Sequence, residues 1–271
     1  MTWSSSDVVA NGLRLHYYRT GGAKPPLVLC HGFSDDGLCW TPVARALEAD
    51  YDIIMMDSRG HGLSDAPESG YGTLDLAQDL AAAIRALSLE RPIVMGHSMG
   101  GGTTLALAGL FPELPRAVVV EDSGIPRPGA ARADRDPAWR ERQRAQLASF
   151  AAATREELIA RCHAESPTWS QEELGPWADA KKRLSPNVLN RADAAPVDWQ
   201  TLLPRITCPA LLITADPERG SMVTVETARE MQALVPQLRV EHIAGAGHNI
   251  RREQFDRYVE VVRAFLAELP A

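Results

Sequence analysis

The chain contains no apolar run long enough to span a membrane. Its opening residues, Met1-Thr2-Trp3-Ser4-Ser5-Ser6, lack the positive region followed by an apolar stretch that marks a secretory leader. Cysteine is scarce: four residues, Cys30, Cys39, Cys162 and Cys208, with no metal-ligand spacing. Cys30 and Cys208 stand in or beside apolar runs, as small core residues do, and this usage fits a reduced cytoplasm. There is no internal repeat, no low-complexity tract and no basic run interleaved with aromatics. The one basic cluster, Arg132 to Arg144, is broken by Asp134, Asp136 and Glu141 and reads as a solvated helix face. With a formal net charge of -7, these absences argue against nucleic acid as a partner and against a membrane span. What remains is 271 residues, 45% hydrophobic, enough for one large α/β domain or a domain with an insertion.

Strand-like and helix-like segments alternate along most of the chain. Asp7–Ala10 and Leu13–Tyr18 flank Asn11-Gly12, a type I′ hairpin signal. Continuous apolar runs follow at Pro26–Cys30, Ile53–Met56, Ile93–Met95, Ala117–Val120 and Ala210–Thr214, the pattern of strands covered on both faces. Between them lie helical patterns at 40–47, after a Thr73 cap (Leu76, Ala77, Leu80, Ala81, Ile84, Leu87), from the glycines after Ser98 to Phe111, and from Thr224 to Leu234. Leu238–Ile243 alternates as an edge strand does, and the last helix carries Phe255, Tyr258, Val259, Val262, Leu266 and Leu269 on one face. From 125 to 203 no buried-strand pattern occurs. Helix starts replace it: Asp136-Pro137, the capping boxes Thr154–Glu157 and Ser170–Glu173, and Ser185-Pro186. The expected architecture is a doubly wound, mostly parallel sheet with a helical insertion.

The chain is organised around Gly96-His97-Ser98-Met99-Gly100. A buried strand runs into it and a small-residue helix runs out of it. Glycines flanking the serine remove the β-carbons that would clash where strand and helix cross. Gly-x-Ser-x-Gly in that setting is a nucleophile elbow, with the serine hydroxyl beyond the strand end and the next amide at a helix N-terminus.

A serine hydroxyl needs a base to take its proton. His248, in the small-residue loop Ala244–Asn249, follows a strand directly and is the candidate. The imidazole needs a carboxylate to fix its tautomer. Asp216 leads, because the order serine, acid, histidine follows; Asp122, at the end of the preceding strand, competes, and Glu218 ranks third. The oxyanion needs two amides, and those of Met99 and Phe33 are best placed. His31 reads as a support of its own loop. His97 is expected to point away from Ser98. His16, His61, His163 and His242 fall in no constellation, and no metal site is expected.

These motifs carry a family resemblance. His31-Gly32-Phe33, Asp57-Ser58-Arg59-Gly60-His61-Gly62-Leu63-Ser64, Gly96-His97-Ser98-Met99-Gly100-Gly101, the Asp216 loop and Gly247-His248 together resemble the α/β-hydrolase-fold superfamily. The resemblance implies an eight-stranded, mostly parallel sheet flanked by helices. It implies a core of residues 1–124 and 204–271 with a helical cap at 125–203. It also implies the triad Ser98, Asp216 and His248, the oxyanion amides of Phe33 and Met99, a small acyl substrate and no cofactor. The loop Asp216-Pro217-Glu218-Arg219-Gly220 departs from the commonest form of the acid loop, which keeps Asp122 in play. Serine at 98 disfavours dehalogenases and epoxide hydrolases, which carry aspartate there. The expected activity is hydrolysis of a carboxylic ester or lactone of a small, largely apolar substrate. Carbon–carbon bond hydrolysis and haloperoxidase-like perhydrolysis are alternatives, and a ligand receptor on the same fold is an alternative of another class. The cap tryptophans, Trp139, Trp169, Trp177 and Trp199, suit an apolar pocket or the packing of the cap itself.

Overall fold

The computed structural model describes residues 3–125 and 136–270. Of the predicted insertion, 126–135 lie outside the described residues, and so does the first part of the Arg132–Arg144 cluster. The order is β1 (Ser4–Ala10), β2 (Leu13–Arg19), β3 (Pro26–Cys30), α1 (Thr41–Leu47), β4 (Asp52–Met56), α2 (Thr73–Ala86), β5 (Ile93–His97), α3 (Met99–Leu110) and β6 (Ala117–Glu121). Then come α4 (Pro137–Ala152), α5 (Arg155–Glu165), α6 (Gln171–Arg183), a 3-10 segment (Pro186–Asp193) and α7 (Trp199–Leu202). The chain closes with β7 (Ala210–Thr214), α8 (Val225–Leu234), β8 (Leu238–His242), α9 (Ile250–Glu253) and α10 (Phe255–Ala267).

Eight strands form one sheet in the order β1-β2-β4-β3-β5-β6-β7-β8. β2 runs antiparallel to β1 and β4, and all other pairs are parallel. The apolar runs are continuous because both faces of the sheet are covered. On one face Val28, Ile54, Val94, Val118 and Leu212 pack under α2, α3 and α8. On the other, Leu29, Ile53, Met95, Val119 and Leu211 pack under α1 and α10. From β3 the chain steps to β4 on one side, then crosses back to β5 on the other. Ligands of such sheets bind beyond the carboxyl ends of the strands at that reversal, where the loops after β3 and β5 diverge.

Local expectations meet two corrections. Gly72, not Thr73, caps α2; its N–H donates to Asp75 Oδ2 at 2.9 Å. Ser170 makes no side-chain cap on α6, because Glu173 turns instead to Arg252 Nε at 2.9 Å. Thr154 and Glu157 do form their capping box on α5. No described helix is long and apolar enough to cross a membrane.

α6 meets the sheet end through buried charge. Asp35 accepts from Lys181 Nζ at 3.2 Å, Arg251 Nη2 at 3.3 Å and Arg252 Nη2 at 3.1 Å. Glu121 accepts from the Arg251 amide at 3.0 Å and from its Nη1 at 3.2 Å. Arg251 lies over Trp40 and Arg252 over Trp169, at 4.3 and 4.5 Å. Burial opposes the Asp35 charge, but Arg252, Lys181 and Arg251 hold its carboxyl well below the usual range.

Asp36, beside it, behaves oppositely. Burial and the neighbouring Asp57 push its carboxyl up to about 7, although Arg183 Nη1 approaches at 3.4 Å. An unfolded chain loses this proton near 3.8 while the folded chain keeps it, so rising pH across that interval favours unfolding. Asp36→Asn has no proton to lose. Its stability relative to wild type should therefore grow from about pH 4 to 7 and then level off, by at most ~1.4 kcal/mol per pH unit. Denaturant titrations of both proteins across that range test it; a difference independent of pH contradicts it.

Candidate active site

Ser98 stands between β5 and α3 with φ 52° and ψ -113°, a strained backbone for a residue with a β-carbon. The glycines around it are required by close approach. A β-carbon on Gly96 would lie 2.2 Å from the Gly100 carbonyl oxygen, and one on Gly100 the same distance from that of Cys30. No side chain fits at either position, so the elbow is sharp enough to lift the hydroxyl clear of the sheet.

Ser98 Oγ is 3.0 Å from His248 Nε2. The imidazole comes from the loop after β8, 150 residues along the chain. On its far side, His248 Nδ1 is 2.7 Å from Asp122 Oδ2. Asp122 is fully buried and leaves the end of β6 with φ 41°, a left-handed turn that swings its carboxylate toward the histidine. It also accepts from Ser221 Oγ at 2.6 Å, the Met222 amide at 2.8 Å and the Val223 amide at 3.1 Å. Four donors converge on this group, so it acts as an acceptor throughout. Nδ1 of His248 therefore carries the proton, and Nε2 offers its lone pair to the serine hydroxyl.

This corrects the expectation for Asp216. Its Oδ1 meets His242 Nε2 at 3.0 Å and its Oδ2 accepts the Gly245 amide at 2.7 Å. The Gly245 hydrogen bond, with His242, lowers its pKa. Asp216 thus anchors the base of the loop that carries His248 and makes no hydrogen bond to the imidazole, whose Nδ1 is taken by Asp122. The physical reason lies in the residues after it. Gly220 takes φ 99°, and Ser221, Met222 and Val223 turn back as donors to Asp122, so this loop cradles the acid instead of supplying it.

Other predicted residues fall around this centre. Met99 is the first residue of α3, so its N–H has no partner within the helix. Gly32, just before Phe33, passes beside the elbow: a β-carbon there would lie 3.7 Å from Ser98 Cβ. The Phe33 carbonyl meets His61 Nε2 at 2.6 Å, and its ring lies 6.1 Å from Trp139. His31 donates from Nδ1 to the Gly32 carbonyl at 2.8 Å and accepts the Ser58 amide on Nε2 at 3.0 Å. Burial pushes its pKa down to about 3, so it is a neutral brace between two loops.

Sequence reasoning underrated His97. It is buried, donates from Nε2 to the His248 carbonyl at 2.8 Å, and its ring lies 4.7 Å from that of His248. Burial and the charge of Arg251 hold its pKa well below the usual range. A histidine adjoining the elbow was the available signal; the backbone it reaches lies too far along the chain for spacing to reveal. Among the tryptophans, Trp139 approaches Phe33, whereas Trp177 packs on Phe150 and Trp199 enters the core under the sheet. Among the described residues, no group of three His, Cys, Asp or Glu side chains could hold a metal ion.

Comparison with known proteins agrees with this fold. The family described as alpha/beta hydrolase fold matches residues 25–251. The chain belongs to the α/β-hydrolase family. N-formylmaleamate deformylase from Pseudomonas putida is 32% identical over 271 residues, covering 97% of this chain and 96% of that protein. The crystal structure of E-2-(acetamidomethylene)succinate hydrolase superposes with a TM-score of 0.83 at 23% identity, over 98% of this chain and 100% of that one, a likeness of fold. The enol-lactonase from Burkholderia xenovorans superposes with a TM-score of 0.74 at 25% identity, over 97% of this chain and 100% of the other.

Proposed function

We propose that this hydrolase cleaves the carbon–nitrogen bond of a small N-acyl compound bearing a carboxylate, with Ser98, His248 and Asp122 as its triad. The observation that carries the chemistry is the continuous relay from Ser98 Oγ through His248 to Asp122, at 3.0 and 2.7 Å. Full-length similarity to a deformylase supports an amide over other acyl bonds.

Ser98 Oγ attacks the acyl carbon as His248 Nε2 takes its proton. The amides of Met99 and Phe33 hold the oxyanion, each for about 3 kcal/mol. Collapse breaks the carbon–nitrogen bond, and His248 returns its proton to the leaving nitrogen. Water then attacks the acyl-Ser98 ester, His248 takes the water proton, and the acid leaves as the serine hydroxyl is restored. Asp122 keeps the imidazole in the competent tautomer and stabilises its charged form.

In this reading the described residues 136–203 of the predicted insertion cap this centre. Arg191, from the 3-10 segment, sits with its guanidinium 5.0 Å over the Phe33 ring, which itself lies 6.1 Å from the Trp139 ring. A half-buried cation at that point suits a substrate carboxylate. Arg191→Gln should raise KM for an acidic N-acyl substrate about 10- to 100-fold, leave kcat nearly unchanged, and spare a neutral aryl ester. Equal losses on both substrates contradict this role.

The second reading is ester or lactone hydrolysis, favoured by the likeness to the enol-lactonase. A panel of N-formyl and N-acetyl unsaturated amino acids, aryl esters and lactones separates the two. The amide reading expects the highest kcat/KM on an N-acyl acid. Turnover of esters or lactones with no cleavage of any N-acyl acid overturns it.

A further inference from the structure

A second serine, histidine and aspartate meet on the outer edge of the sheet. Ser5 Oγ lies 2.9 Å from His16 Nε2, and His16 Nδ1 lies 2.7 Å from Asp7 Oδ1. At the elbow the corresponding distances are 3.0 and 2.7 Å. The register explains the arrangement. Asp7 pairs directly with His16, and Ser5, two residues along β1, projects from the same side of the strand. β1 is the terminal strand, and Ser5 is exposed, so the hydroxyl is open to reagents. The imidazole is nearly closed to solvent, with 8% of its side chain exposed, and the Tyr18 ring stands edge-on at 4.8 Å.

The tautomer follows from the partners. The hydrogen bond from His16, with help from Arg14, lowers the Asp7 pKa, so this carboxylate is ionised and accepts only. Nδ1 must then carry the proton of the neutral ring, which leaves Nε2 as a lone pair facing the Ser5 hydroxyl.

We propose that Ser5 is a second nucleophile, activated by His16 and Asp7, which takes an acyl group from activated esters with an aryloxide leaving group. This goes beyond the reading of Ser98 and does not depend on it. Ser5 Oγ bonds to the carbonyl carbon while its proton passes to His16 Nε2. The carbon–oxygen bond to the aryloxide breaks, the aryloxide leaves with the electron pair, and His16 releases the proton to water. Ser5 lies within a strand and not at a strand-to-helix turn, so the next residue offers no helix N-terminal amide to an oxyanion. The product is accordingly a persistent label, one acyl group per chain, and not turnover.

The experiment uses the full chain carrying Ser98→Ala, treated with p-nitrophenyl acetate and read by nitrophenolate release and peptide mass mapping. One acetyl group on Ser5 is expected. Adding Ser5→Ala removes it, and adding His16→Gln slows it about 100-fold or more, the usual worth of a positioned base. If His16→Gln does not fold, Asp7→Asn, at an exposed position, gives the same test through the tautomer. Ser5→Ala alone leaves turnover at Ser98 unchanged, so the two sites fail independently. Acetylation spread evenly over Ser4, Ser5 and Ser6, no acetyl on Ser5, or a rate insensitive to His16 and Asp7 would overturn the proposal.

Discussion

Ser98→Ala lowers kcat by about 10⁶-fold while the protein stays folded. That factor is ~8 kcal/mol of barrier, more than any one hydrogen bond supplies, because removing Oγ disables the relay as a unit. Alanine keeps the β-carbon, so the strain at φ 52° is the same in both proteins and the melting temperature should hardly move. Steady-state kinetics on the best substrate, with a melting curve of the same sample, tests both statements. Turnover within tenfold of wild type in a folded variant would remove Ser98 from the mechanism.

Asp122→Asn is expected to cost about 10⁴-fold in kcat. An asparagine amide turned toward His248 donates where Nδ1–H also donates, so the ring adopts the other tautomer and loses its lone pair toward Ser98. The Ser221 hydroxyl and the Met222 and Val223 amides, all donating to the oxygen that remains Oδ1, hold the side chain where it is, so the geometry survives while the chemistry does not. Asp216→Asn, in contrast, touches His242 and the Gly245 amide, and should change kcat only severalfold. Measured side by side, the two variants identify the acid. A larger loss at Asp216 than at Asp122 contradicts the geometry.

The elbow was legible because its causes are local. Gly96 and Gly100 lie within two residues of Ser98, and the close approach that demands them is written into five consecutive positions. His248 was legible from its strand-end loop. The acid was not, since two strand ends carry aspartates in plausible chain order. The choice between them depends on how the Ser221–Val223 backbone folds back, a contact made 100 residues away in sequence. The buried charges were also illegible: Asp35, Glu121, Glu173, Lys181, Arg251 and Arg252 are scattered, and each alone looks like a surface residue. Glu173 shows the conflict directly, because the capping box it could complete gives way to an ion pair with Arg252. His16 carried no signal either, since only the β1–β2 register brings it to Ser5 and Asp7.

The most direct test of the account is to catch the acyl group in transit. Wild-type enzyme mixed with its best substrate and quenched in acid within the first turnover should yield one peptide bearing the acyl group, on Ser98. The same quench of His248→Ala should yield none. Steady turnover in wild type with Ser98 unmodified at every quench time, or with the acyl group on another residue, would contradict it.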